Sequence, residues 1–199
     1  MSVSRKANRS NSFTVYGVRV ACASVLFTVA FGTTLVRAAE ATTATFAGGC
    51  FWCVESDFDH VPGVQETISG YTGGHTEDPT YKSISDGRSG HREAVQIRFD
   101  PAVVTFAALV KIFLRSTDPT DGGGQFCDRG FTYTTAIYTA NPQQEQTAKD
   151  AIKALTDSAQ LPASIATVVQ PGKRFYPAED YHQNYYMKNP LRYKFYRFS

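Results

Sequence analysis

Residues 44–61 read ATFAGGCFWCVESDFDHV, from Ala44 to Val61. Alternation from Thr43 to Gly49 predicts a strand, Gly48 and Gly49 break it, and a helical pattern starts near Cys50. On that helix Val54, Phe58 and Val61 share one face, while Glu55, Asp57 and Asp59 read as the wetter side. Strand, glycine turn and helix together place Cys50 in a first helical turn. There unpaired backbone N–H groups and the positive end of the helix dipole favour a thiolate. Cys53 follows one turn later, and the intervening Phe51 and Trp52 look like a wall for a small apolar group. A protein thiol exchanger, by contrast, needs an open rim. Two readings stay open at this point: a self-contained Cys50/Cys53 exchange pair, or one nucleophilic sulfur whose other groups come from elsewhere.

The N-terminal residues are set apart by composition. Residues 1–38 carry Arg5, Lys6, Arg9, Arg19 and Arg37 with no acid, around the run VACASVLFTVAFGTTLV from Val20 to Val36. Val36 and Ala38 fit the small-residue cleavage rule, so a signal peptide cut after Ala38 is expected, with an uncleaved membrane anchor as the alternative. The run is short for a span and is interrupted by Thr and Gly. The expected location is therefore outside the cytoplasm, periplasmic or secreted. Removing 38 of 199 residues leaves 161, one domain's worth, with 15 basic against 18 acidic residues; the formal charge moves from +2 to −3. Nucleic-acid binding is not indicated, because Lys173 and Arg174 are a local pair and LRYKFYRF reads as a basic, aromatic tail. Cys22 goes with the leader. The remaining Cys50, Cys53 and Cys127 are too few for a disulfide scaffold and point to a reactive thiol with partners.

Further along, Val64–Gly74 and the HREAVQIRFDP segment read as strands, the latter half-buried by its alternation, and residues 104–115 as a helix. The DPTDGGGQFCDRG segment, with three consecutive glycines, is expected to be irregular and to feed a strand through FTYTTAIYTA. Asn141 and Pro142 predict the cap and first position of a helix whose body is residues 143–159. ASIATVVQPG reads as the last strand, and a short aromatic helix is expected before Pro190. This pattern gives a single α+β domain, a two-layer sandwich with a mixed sheet. Its loops and strand ends offer Tyr81, Glu93, Asp128 and Tyr133 as groups that could converge on the thiol. An acid among them is needed if the sulfur attacks a target holding a poor leaving oxygen. Zinc held by Cys50, Cys53, Cys127 and His182 is the competing use, although a lone CxxC pair is weak support for it.

Five segments, GGCFWCVESDFDHVPGV, SGYTGGHTEDPTY, GRSGHREAVQIRFDP, QFCDRGFTYTTAIY and FYPAEDYHQNYY, occur in the order and spacing of peptide methionine sulfoxide reductases of the A type, which this chain resembles from Thr43 to Asn189. The resemblance implies a ferredoxin-like core and reduction of the S epimer of methionine sulfoxide, free or in proteins. It also implies roles. Cys50 attacks the sulfoxide sulfur, Glu93 protonates its oxygen with help from the Tyr81 and Tyr133 hydroxyls, and Phe51 and Trp52 hold the methyl group. Asp128 orients the substrate's backbone, and His182 supports substrate binding. No bound cofactor is implied; the electrons come from an external thioredoxin-like protein or a small thiol. The mature domain is expected to be soluble and monomeric. Many relatives carry recycling cysteines in a C-terminal tail, and here no cysteine follows Cys127. Cys53 and Cys127 are the candidates for resolving the Cys50 sulfenic acid, with Cys127 preferred because its glycine-flanked loop can move. Two other readings are a thioredoxin-like thiol-disulfide oxidoreductase using Cys50 and Cys53, and a zinc-binding interaction module.

Overall fold

The structure is a computed structural model and describes residues 42–197. The expected leader lies outside them. The chain runs β1 (Thr42–Ala47), α1 (Phe51–Asp59), β2 (Val64–Thr72), α2 (Tyr81–Ile84), β3 (Arg92–Phe99), α3 (Phe106–Ser116), β4 (Gly124–Gln125) and β5 (Asp128–Arg129). A 3-10 turn (Phe131–Tyr133), β6 (Ala136–Thr139), α4 (Pro142–Asp157), β7 (Val168–Pro171), β8 (Tyr176–Pro177), α5 (Tyr185–Lys188) and α6 (Pro190–Arg197) follow.

Six strands form one sheet in the order β7-β6-β1-β3-β2-β8, and every pairing is antiparallel except β6 with β7. Taking β1, α1, β2, β3, α3 and β6 alone leaves a βαββαβ unit with strand order β6-β1-β3-β2, the ferredoxin-like core. The parallel β6–β7 pair needs a crossover, which α4 supplies. Asn141 caps α4 by accepting from Gln144 N, with Pro142 in its first turn.

The core forms where α1 and α3 meet the sheet. Phe46 of β1 stacks on Phe58 of α1 and Phe113 of α3, with ring centroids 5.3 and 4.9 Å apart. All three rings are fully buried, each contributing roughly 2–3 kcal/mol of apolar burial. This packing fixes the β1 to α1 connection.

Several segments differ from the sequence-based expectation. The first half of β3, Arg92–Val95, is buried on both faces: Val95 joins the main core, and on the opposite face Arg92 lies over the Phe131 ring and its Nε donates to Thr134 Oγ1 at 2.8 Å. The glycine-rich loop contains a small hairpin, β4 paired with β5. The strand expected through residues 131–140 shrinks to β6, because Gly130 at φ 112° opens a turn closed by Tyr133 N to Gly130 O. β8 follows β7, so β7 is not the last strand, and the basic aromatic tail folds into α6. Glu55, expected on a wet face, is fully buried. Its carboxylate accepts from Asn184 N at 3.0 and 3.1 Å, a donor that only the C-terminal segment can bring.

Candidate active site

Cys50 is the N-cap residue of α1, and its carbonyl accepts from Cys53 N at 3.1 Å and Val54 N at 3.3 Å. The two glycines before it are required for different reasons. Gly49 sits at φ 86°, and a Cβ there would lie 2.5 Å from the Gln125 Cβ; at Gly48 it would lie 2.8 Å from the Phe113 ring. The turn is thereby wedged between the β4–β5 hairpin and α3. Gln125 is locked in turn, its amide accepting from Asp118 N and donating to the Asp118 and Gly124 carbonyls.

The thiols carry their charge differently from expectation. Burial, a hydrogen bond to Cys53 and the neighbouring carboxyls of Glu93 and Asp128 push the Cys50 thiol up. The hydrogen bond from Cys50, against the cost of burial and with help from Arg197, brings Cys53 down to about 7. Desolvation at Cys50 outweighs the helix-terminus effect, so Cys53 is the more readily ionised of the two thiols.

Glu93 is the second residue of β3 and lines the same cavity as Cys50. Its carboxyl is 2% exposed, and Oε2 accepts from Phe51 N at 2.9 Å, satisfying one of the orphan donors of the α1 N-terminus. Burial pushes Glu93 up to about 8, against the pull of that N–H and assisted by Asp128 and Cys53. At neutral pH it is a carboxylic acid with a proton to give.

Two phenols arrive on turns that are tied to each other. Tyr81 begins α2, where Glu179 accepts from its backbone N at 3.0 Å and from the Tyr71 hydroxyl at 2.7 Å. Tyr133 ends the 3-10 turn, and Thr132 Oγ1 donates to Ile84 O of α2 at 3.0 Å. The Tyr133 and Tyr81 hydroxyls face each other across the cavity they both line. Burial raises both phenols, so both keep their protons at neutral pH.

Cys50, Phe51, Trp52, Tyr81, Glu93, Asp128, Tyr133 and Tyr196 line one small cavity of ≈ 50 Å³. Seven of these were singled out in the sequence; Tyr196 was missed because its segment read as a tail. His182 does not line the cavity. It lies behind the wall, 2% exposed, its ring centred 4.9 Å from Phe51 and 4.7 Å from Tyr81, and its Nδ1 accepts from Trp52 Nε1 at 3.1 Å. Burial keeps the imidazole neutral, and its task is to orient Trp52, which also stacks on Tyr185 at 3.6 Å.

On its other side Cys50 opens into a cavity of ≈ 390 Å³, shared with Cys53, Cys127, Asp57, Asp128 and Arg197. Cys127 sits at the exposed tip of the β4–β5 hairpin, after Phe126 at φ 50°. Among the described residues, no group of three or more His, Cys, Asp or Glu side chains is arranged to hold a metal ion.

A hydrogen-bonded dithiol at a helix N-terminus, facing a protonated acid across an aromatic-walled recess, defines a thiol-dependent oxidoreductase whose target must be protonated as it is reduced. Comparison with known proteins names the family. The model of the family described as Peptide methionine sulfoxide reductase matches residues 42–199. The peptide methionine sulfoxide reductase MsrA 2 of Rhizobium meliloti is 57% identical over 162 residues, covering 81% of this chain and 79% of the relative. The MsrA of Bacillus licheniformis is 51% identical over 154 residues, 77% and 85% of the two chains. The solved methionine sulfoxide reductase A of Corynebacterium diphtheriae superposes with a TM-score of 0.72 at 39% identity, covering 76% of each chain. The chain belongs to the peptide methionine sulfoxide reductase family, A type. It is an enzyme that reduces the S epimer of methionine sulfoxide to methionine at the expense of thiols, a repair of oxidative damage.

Proposed function

We propose that Cys50 is the attacking sulfur and Glu93 the proton donor of this reaction. The observation that carries the assignment is the buried, protonated Glu93 lining the same small cavity as Cys50 and fastened to the N–H of the next residue. The substrate's methyl group packs on Phe51 and Trp52, and its sulfoxide oxygen points at Glu93, Tyr81 and Tyr133. Asp128 at the rim receives the substrate's backbone N–H. As Cys50 bonds to the substrate sulfur, Glu93 protonates the oxygen; the hydroxyl then passes to Cys50, methionine leaves, and Cys50 is a sulfenic acid.

Cys53 resolves that sulfenic acid. Its thiol stands one helical turn from Cys50 on the same cavity wall, whereas Cys127 stands at the exposed tip of the β4–β5 hairpin, and this supports Cys53 over the sequence-based preference for Cys127. Condensation gives a Cys50–Cys53 disulfide and water, and two external thiols, from a thioredoxin-like protein or a small thiol, return the pair to its reduced state. Oxidised proteins and free methionine sulfoxide are the substrates. The mature domain works as a soluble monomer outside the cytoplasm, after removal of the N-terminal leader.

Single-turnover assays test the assignment. Cys50→Ser should abolish methionine formation. Glu93→Gln should slow the first turnover by about 10²–10⁴-fold with little change in substrate affinity. An unchanged first turnover in Glu93→Gln would show that the proton comes from elsewhere.

A further inference from the structure

We propose that Arg197, held by Asp57 at the end of α6, is a positioning residue that keeps the negative charge of the resting dithiol on Cys53, so that Cys53 is the base that takes the Cys50 proton. The inference rests on Cys50 being the attacking sulfur. Cys53 and Asp57 are four residues apart on α1 and so share one helix face. A single guanidinium from α6 serves both: Arg197 Nη2 donates to Asp57 Oδ1 at 2.9 Å and Oδ2 at 3.1 Å, and the same side chain lines the larger cavity together with Cys53. The pair is only partly exposed, 28% for Arg197 and 21% for Asp57, so water screens it incompletely.

The surroundings of Cys53 make such a cation necessary. From α1 it faces the Cys50 thiol and the Asp57 carboxylate; from β3, Glu93; from α6, the Tyr193 phenol and Arg197. Asp128 and Cys127 border the cavity from the β4–β5 hairpin. Burial and the acids oppose a charged sulfur at this place, and the Cys50 hydrogen bond and Arg197 favour it. The planar fork of Arg has enough donors to serve carboxylate and thiolate together.

The protons balance through the cycle. Cys53 thiolate takes the proton of Cys50, leaving Cys50 charged for attack on the sulfoxide sulfur. Glu93 supplies the proton that becomes the hydroxyl of the sulfenic acid. When the Cys53 sulfur bonds to Cys50, the proton that Cys53 acquired leaves with that hydroxyl as water, and solvent reprotonates Glu93.

The test is the pH dependence of iodoacetamide alkylation of the reduced full chain, resolved for each cysteine by mass spectrometry. In the wild type Cys53 should titrate first, near pH 7, with Cys50 following at higher pH. Arg197→Gln should move the Cys53 midpoint up by about one pH unit, leaving about fivefold less thiolate at pH 7. Arg197→Lys, which keeps the charge, should restore most of it. An unmoved Cys53 midpoint in Arg197→Gln overturns the proposal. So does Cys50 titrating before Cys53 in the wild type, a measurement that needs no variant to fold. Activity surviving Cys50→Ser would instead overturn the underlying assignment, whatever the alkylation profile shows.

Discussion

Glu93 shows how burial is turned into chemistry at the scale of one residue. An ordinary carboxyl is ionised at neutral pH, and this one, pushed up to about 8, is not. The rate of the first turnover should therefore fall as pH rises through about 8, where the acid loses its proton. Glu93→Gln should lack that limb, and stopped single-turnover rates from pH 6 to 9.5 will read it. A falling limb that persists in Glu93→Gln would assign the titration to another group. Gly49 gives a second prediction at this scale. Alanine there meets both a left-handed backbone and a contact 2.5 Å from the Gln125 Cβ, so Gly49→Ala should destabilise the fold by about 1–3 kcal/mol in urea titration. It should also lower turnover more than stability alone explains, because the strained turn is the one that aims Cys50.

The helix α1 is the element on which the site depends, and it is held along its flank as well as at its N-terminus. Glu55 receives Asn184 N, Asp57 receives Arg197, and Asp59 receives the Tyr186 hydroxyl at 2.9 Å, so three of its acids bind the C-terminal segment. α4 provides a contrast at the same scale. Asn141→Ala removes its N-cap and should cost about 1 kcal/mol by chemical denaturation while leaving sulfoxide turnover at the wild-type level. A comparable loss of turnover would mean that α4 reaches the site. These two helices also mark the limits of what the sequence discloses. The α4 cap, the glycine break before Cys50 and the period-2 strands are local signals carried by neighbouring residues, and they were legible. The burial of Glu55 and the docking of Arg197 depend on contacts 129 and 140 residues away in the chain. Periodicity cannot register such contacts. The spacing of Arg192, Tyr193, Tyr196 and Arg197 after Pro190 was the signal for a helix in the tail, and the basic character of that segment masked it. Most cavity residues were legible as groups at strand and loop junctions and through the resemblance; Tyr196 and the easier ionisation of Cys53 were not.

For the whole molecule the buried acids set how stability follows pH. Glu55, raised from 4.5 to about 7, and Glu93, raised to about 8, bind protons in the folded state that the unfolded chain has released. Between about pH 4.5 and these values the folded state holds more protons, so these two groups make stability fall as pH rises. For Glu55 the total is on the order of 3 kcal/mol. Melting temperatures of Glu55→Gln measured from pH 5 to 8 should depend on pH less steeply than those of the wild type. Parallel curves would place the buried charge elsewhere. At the level of the reaction, a mixture of sulfoxide epimers should lose only its S form, and one equivalent of substrate should leave a Cys50–Cys53 disulfide detectable by peptide mapping. A Cys50–Cys127 bond in its place would return the resolving role to the hairpin. The hydrogen bond from Phe51 N to Glu93 has one more consequence. The peptide unit that follows the nucleophile is itself clamped to the proton source, so sheet and helix cannot drift apart without breaking it. Spacing between sulfur and proton is thus inherited from the backbone, and the surrounding rim is free to diversify for different protein surfaces without detuning the chemistry.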